Sequence, residues 1–394
     1  MTASPTAALN PEIAGSFTDP GYYDTLAYLR REEPVQLYAP NSWTVACYDE
    51  VREVSRDPDR FCSGRGVLVH DPLRDGGGSI DGSILHMDPP RHGPWRGLVT
   101  RRFTPRAVSG LEARIREVAR SVLDTIPAGA EIDFVDAVAA PYPVLVIAEL
   151  LGVDGEDLDN FRRWSDAAIE APDHPEEQLD DLAALFEFLA GHVIDRRARP
   201  REDIASAVVH AEVEGEPLST RDAVGYLLAL LVAGNETTRH LVSGSAAALA
   251  AHPDQRALLA REPARIGNAV EECLRWVTPV QAFGRTATRD SHLRGVAIPE
   301  GDFVVMLYAS ANRDENAFGP TAGEFDVTRP VDSQHVAFGF GEHLCIGASL
   351  ARLEGRVLLE ELLARFPDYA LTTEPELARS TLVRGATRMP VVCR

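Results

Sequence analysis

Cys345 carries the most specific chemistry in this chain. It lies in Phe338-Gly339-Phe340-Gly341-Glu342-His343-Leu344-Cys345-Ile346-Gly347, and a helical pattern from about Ala348 to Phe366 follows. The glycines let the backbone pass close to something flat and bulky. A helix start directly behind the cysteine brings a partial positive charge that favours thiolate over thiol. A thiolate held in a glycine-rich loop is what an iron ligand requires. Most single cysteines are buried small hydrophobes, but the loop as a whole argues against that reading here.

A second constellation is Ala233-Gly234-Asn235-Glu236-Thr237-Thr238, directly after an apolar run from Ala223. Polar groups in that position are expensive if buried without purpose. The Thr237 hydroxyl can bond the Ala233 carbonyl four residues back and bend the helix. Gly234 removes bulk beside it, so the turn can open a groove wide enough for dioxygen. The ordinary alternative is a buried helix with a polar continuation.

Together these segments resemble the cytochrome P450 family. Phe-Gly-x-Gly-x-His-x-Cys-x-Gly is similar to the family's haem-binding loop, and Ala-Gly-x-Glu-Thr to its oxygen-activating signature. The resemblance covers about Leu85 to Pro390. It implies a mainly α fold with small β-sheets, the triangular haem-thiolate monooxygenase prism. It makes Cys345 the axial thiolate of haem b, with Phe338 and Gly339 in the haem loop, and a thiolate ligand favours O–O cleavage. It assigns Glu236 and Thr237 to proton delivery through water.

The same resemblance places four further groups. Asp88-Pro89-Pro90-Arg91-His92-Gly93-Pro94-Trp95-Arg96 is similar to the family's propionate-binding helix, with His92 and Arg96 as ligands. Pro94 is unusual there, though tolerable early in a helix. Arg285 and His335 match further propionate positions, and His343 is another candidate. Glu272 and Arg275, three apart on one helix face, resemble the family's Glu-x-x-Arg pair, with Arg329 as third member; this network holds the cysteine loop and is structural. Ala229, Ala233, Val280, Leu382 and Val383 are the implied pocket lining, and Gln281 is a candidate polar anchor. The lining is apolar, so the expected substrate is apolar: a sterol, terpenoid or lipid. The Gly234–Arg239 stretch resembles actinobacterial hydroxylases of sterol side chains and branched lipids, and natural-product tailoring oxidases share much of it.

The elements that position these groups can be read coarsely. Val35–Tyr38 and Trp43–Cys47 form a hairpin around Ala39-Pro40-Asn41-Ser42. Gly64–Ile84, with Gly76-Gly77-Gly78, reads as a long mobile loop of the kind that covers sites. A phosphate cradle is excluded because no Gly-Lys-Ser/Thr follows. Leu111–His252 is largely helical. Ser219–Asp222 is a capping box for a helix of roughly 30 residues ending before His252-Pro253. A second helix starts near Pro263 and stops before Pro279, and a strand follows around Asp302–Tyr308. No linker or repeat separates these pieces, so residues 1–394 read as one domain.

Composition bounds the rest. The chain has 394 residues, 45% hydrophobic and 25% charged, which is ordinary for a globular protein. Five scattered cysteines fit a reducing compartment, with neither a disulfide framework nor a zinc site. No signal peptide is evident, and the apolar stretch Ala223–Gly234 falls short of the roughly twenty residues of a membrane span. A cytoplasmic monomer without a membrane anchor is the expectation. A net charge of −21 argues against nucleic acid as a partner. All 39 basic residues are arginine. No dinucleotide or flavin module is present, so NAD(P)H acts only indirectly, through a ferredoxin and its reductase. Arg101, Arg102, Arg106, Arg352 and Arg356 are the expected docking patch. Two readings compete: a haem sensor or carrier without turnover, which needs no proton relay, and a hydrolase with Cys345 as nucleophile and His343 as base.

Overall fold

Ser219 opens the longest element. Its Oγ accepts the Asp222 N–H at 3.0 Å and donates to Asp222 Oδ2 at 2.6 Å, which satisfies a donor that the first helical turn cannot. The helix spans Thr220–Ala251, 32 residues. Pro253 stops it and begins the next helix, Pro253–Arg261, at the position where a missing N–H costs nothing. The expected helix from Pro263 is two pieces, a 3-10 turn Pro263–Arg265 and the helix Ile266–Val277, and Pro253–Arg261 is a further helix outside that expectation.

The structure is a computed structural model that describes residues 9–77, 82–170, 177–330 and 334–394. Gly78 of the glycine run lies outside them. The described part of that loop is less free than its composition suggests. Asp71 accepts from the Val67 N–H at 2.8 Å and the Leu73 N–H at 3.1 Å, and caps the 3-10 turn Pro72–Asp75.

The chain forms two compact units from interleaved segments. The first takes Met1–Ser79, Ser243–Cys345 and Thr373–Met389. Its sheet has five strands in the order Val35–Ala39, Ser42–Val45, Phe303–Leu307, Ala282–Ala287, Phe61–Cys62. The first pair is the expected hairpin, turned by Asn41 at φ 56°. Phe303–Leu307 is buried at every position, because it runs between Ser42–Val45 and Ala282–Ala287. Gly284 is obligatory in that pairing: a Cβ there would lie 1.9 Å from the Phe303 ring.

The second unit takes Ile80–Val242, Ile346–Thr372 and Pro390–Arg394. The region between 111 and 252 is largely helical as expected, interrupted by the strand Glu131–Asp133 and the pair Glu212–Val213 and Glu216–Pro217. The helix Ala348–Arg365 packs on Glu112–Leu123. Their seam is an ionic lattice. Arg116 reaches Glu360 at 2.6 Å, Glu361 at 2.8 Å and Glu112 at 2.9 Å, and Arg356 reaches Glu112 at 2.6 Å and Glu360 at 2.9 Å. Linked pairs hold geometry better than isolated ones, which contribute about 0–1 kcal/mol. Among the described residues no helix is long and apolar enough to cross a membrane.

Candidate active site: the cysteine loop and the polar turn

Cys345 is the exposed thiol of the five cysteines; Cys47, Cys62, Cys273 and Cys393 are buried. Burial pushes the Cys273 thiol up to about 12 and those of Cys47 and Cys393 up to about 11. These three stay protonated and inert at neutral pH.

The loop that presents Cys345 is tightly closed. The Cys345 N–H donates to Phe338 O at 2.9 Å, Gly339 N–H to Val336 O at 2.9 Å, and Leu344 N–H to Gly341 O at 3.1 Å. Gly339 and Gly341 sit at φ +70° and +72°, the left-handed region that L side chains avoid. A Cβ on Gly341 would lie 2.4 Å from the Ser55 carbonyl, so this glycine lets the loop lie against the helix Tyr48–Arg56. A Cβ on Gly339 would meet nothing nearer than 3.8 Å. Arg52 and Arg56 cover the Phe340 ring at 4.3 and 5.0 Å. An exposed thiol, a backbone without side-chain bulk and cations in the same unit suit a flat, anionic, thiolate-ligated macrocycle.

The supporting network begins at Glu272 and Arg275, 3% and 2% exposed on the helix Ile266–Val277. Two parallel hydrogen bonds of 2.7 Å join them, the strongest form of this pair. Arg329 adds its Nε to Glu272 at 3.2 Å. Arg275 then donates to the carbonyls of Asn312 at 2.8 Å, Ala322 at 2.7 Å and Glu324 at 2.8 Å. Asn312 had no sequence signal, yet it completes the line to the loop. It is fully buried, its Nδ2 donates to Thr278 Oγ1 at 2.9 Å, and its Oδ1 accepts the Val336 N–H at 2.7 Å. The buried pair is thus linked to the first turn of the cysteine loop by two bonds through one residue.

The other first-unit candidates divide. Arg285 is 4% exposed and bonds Gly284 O at 2.7 Å. Its charge opposes the burial that raises the Tyr308 hydroxyl, and Tyr308 Oη borders Gly339. His343 Nε2 lies 3.1 Å from Ser63 Oγ. His335 is held on both ring nitrogens. Its Nδ1 accepts the Ala337 N–H at 3.3 Å, which puts the proton on Nε2, 3.1 Å from Glu271 Oε2. Gln281 is held on both sides of its amide. It is fully buried; Oε1 accepts from Tyr22 Oη at 2.8 Å and Nε2 donates to Thr278 O. Both atoms of its amide thus bond within the first unit. Val383, 1% exposed, pairs with Val280 in a β-bridge, while Val280 and Leu382 are partly open.

In the second unit the expected back-bond is present: Thr237 Oγ1 donates to Ala233 O at 2.6 Å. The helix stays continuous through it. Ala233 is exposed and Ala229 and Thr237 are partly open, four residues apart along one face. Glu236 is 21% exposed with its Oε1 3.9 Å from His240 Nε2. His92 is buried and Arg96 half-buried on the helix His92–Thr100, Pro94 being its third residue. That helix docks on the long helix through Tyr226, whose hydroxyl donates to Trp95 O at 3.1 Å. Burial raises the Tyr226 hydroxyl and the nearby Arg96 charge opposes it. In the basic patch, Arg101 and Arg106 are exposed, but Arg356 is spent in the ionic lattice and Arg102 lies 3.5 Å from Glu202.

Comparison with known proteins adds three kinds of finding. A family model described as Cytochrome P450 matches residues 177–376. The chain is similar to the linalool 8-monooxygenase of Pseudomonas putida, 35% identical over 97% of both chains. It is 40% identical to the vitamin D(3) 25-hydroxylase of Pseudonocardia autotrophica, over 93% of this chain and 92% of that one. Its structure resembles a Mycobacterium marinum cytochrome P450 solved in complex with pseudoionone, with a TM-score of 0.88, 33% identity and full coverage of both chains.

Proposed function

This chain belongs to the cytochrome P450 family, so it is a haem b monooxygenase, and we propose that it inserts one atom of dioxygen into an apolar small molecule, most simply as a hydroxylation. The haem supplies a thiolate-ligated iron at which dioxygen is activated. Cys345 would hold the iron, and His92, Arg96, Arg285, His335 and His343 are the residues we assign to the propionates. We assign all 394 residues to one catalytic domain built from the two interleaved units. The carrying observation is the polar turn of the long helix. Thr237 turns its hydroxyl onto Ala233 O on an open apolar face, with the Glu236 carboxylate next to it in sequence. Thr237 orients and Glu236 delivers protons through water, a task worth about 10²–10⁴ in rate. A carrier has no use for this arrangement.

The substrate we favour is a terpenoid or sterol, because Ala229, Ala233, Val280 and Leu382 offer no charge. The named substrates of the relatives, linalool and vitamin D(3), support this. With a surrogate ferredoxin and reductase, the wild type turns over a member of a terpenoid and sterol panel selected by spectral binding. Glu236→Gln lowers product formation by about 10²-fold. Thr237→Ala keeps NADH consumption but diverts it to hydrogen peroxide. Wild-type product per NADH in both variants would remove the relay assignment. A haem-loaded wild type that binds these compounds and oxidises none would favour the carrier.

We also propose that a ferredoxin docks on the second unit through Arg101, Arg106 and Arg352. Charge reversal at all three lowers the ferredoxin-dependent reduction rate and flattens its salt dependence, since such contacts act mainly on encounter. Reversing Arg356, held by Glu112 and Glu360, disturbs folding instead. An unchanged salt profile in the triple variant would sink the patch.

A further inference from the structure

Six large apolar side chains are exposed among the described residues, and three lie on one helix, Leu179–Ala198. Leu179 is 62% exposed, Phe186 46% and Ile194 61%. Their spacings of seven and eight residues keep them on one stripe, with Ala183 and Ala190 between them. The helix already buries Leu185, Leu189 and Val193 on its inner side. The outer stripe is therefore a second apolar face, and a solvated surface does not call for one.

The geometry points to a second copy of this chain as the occupant, packed antiparallel helix to helix about a two-fold axis. The stripe is self-complementary in that direction. Centring the axis between Phe186 and Glu187 sets Leu179 against Ile194 and Ala183 against Ala190. Small residues at the inner positions leave room for the partner's Phe186 ring. The charges agree. The helix begins acidic, with Asp180 in its first turn and Glu177 just before it, while Asp181 is held by Arg163 of the same chain at 3.0 Å. It ends at Arg197, whose guanidinium bonds the neutral Thr220 Oγ1 and Leu218 O at 2.6 Å each. An antiparallel pair brings Arg197 of each copy to the acidic start of the other, and opposes the helix dipoles. Such charges fix direction more than strength. An anionic bilayer is a poor occupant for a stripe that starts acidic on a chain of net charge −21.

The helix has 20 residues, about 30 Å, so one helix pair covers less than the roughly 800 Å² per partner of a standard interface. Self-repulsion between two copies at −21 opposes it further. The dimer is therefore weak and strengthened by salt, in place of the monomer that composition suggested. Sedimentation of the haem-loaded protein from about 5 to 500 µM, a range suited to transient contacts, shows a monomer–dimer equilibrium that shifts to dimer on going from low to high salt. The double variant Phe186→Asp, Ile194→Glu stays monomeric with an unchanged haem spectrum; both sites are exposed, so folding is not at stake. Four of the native thiols are buried and Cys345 is the proposed haem ligand, so introduced thiols react with each other in the loaded protein. Mixing Ala183→Cys with Ala190→Cys gives a covalent dimer under mild oxidation, and neither variant alone does. A monomer across the whole range, a dimer that survives the double variant, or cross-linking of Ala183→Cys to itself would each overturn the proposal.

Discussion

Cys345→Ala will fold, keep its helical content, and lose the thiolate-type absorption of its reduced, CO-bound form together with all NADH-driven product. The folding half of this expectation follows from the loop. Its closing bond is made by the backbone N–H of residue 345 to Phe338 O at 2.9 Å, and alanine keeps that donor. The left-handed turns belong to Gly339 and Gly341. The side chain is exposed, so removing its sulfur leaves no cavity in the core and costs little beyond about 1 kcal/mol. The chemical half follows from the absence of a substitute. The other described thiols are buried, and burial holds three of them protonated far above neutrality. Circular dichroism checks the first half and the CO-difference spectrum the second. A variant that folds and still gives the thiolate-type band would remove Cys345 from the iron.

Why the site was so legible, and where legibility stopped, follows from how each residue acts. Residues acting through backbone constraint or fixed spacing announce themselves. Gly339 and Gly341 are needed for positive φ, Thr237 acts on the carbonyl four residues back, and Glu272 and Arg275 meet because three residues bring them to one helix face. The long helix was legible for the same reason, since Ser219, Asp222 and Pro253 are local signals. Residues acting through tertiary hydrogen bonds do not announce themselves. Asn312 looks like any loop asparagine until Arg275, Thr278 and Val336 surround it. Glu271 looks like a surface neighbour of Glu272 until its carboxylate is seen to lie 3.1 Å from His335 Nε2. Gln281 stands next to partly open Val280, and nothing local announces that Tyr22, 259 positions earlier, bonds its oxygen. The helix restart at Pro253 was misread because proline both ends one helix and starts another well. The apolar stripe of Leu179–Ala198 was hidden by a helix apolar on two sides, whose buried side only packing reveals.

Arg275→Ala will destabilise the protein by about 3–5 kcal/mol, the range for leaving one partner of a buried ion pair uncompensated. That is a large part of the roughly 5–15 kcal/mol that holds a folded chain. The variant removes both bonds to Glu272 and three to the carbonyls of Asn312, Ala322 and Glu324. Among the described residues, Glu272, 3% exposed, then keeps the Arg329 contact at 3.2 Å and the Asp326 N–H at 2.8 Å. Denaturant unfolding reads the loss as a lower midpoint at similar slope. The double variant Glu272→Met, Arg275→Met should lose less than the sum of the two single methionine variants, because it leaves no stranded charge. Asn312→Ala separates the support of the loop from the stability of the whole. It strands the Val336 N–H, at about 1–3 kcal/mol for a buried group left unpaired, while the Thr278 hydroxyl keeps its bond to Arg275 O at 2.8 Å, and Val336 lies on the path to the cysteine loop. Its haem should therefore dissociate faster than its modest loss in global stability accounts for, whereas Arg275→Ala should lose both together. If Asn312→Ala holds haem as the wild type does, the line from the buried pair to Val336 is packing alone, and Glu272 and Arg275 support the fold without positioning the thiolate.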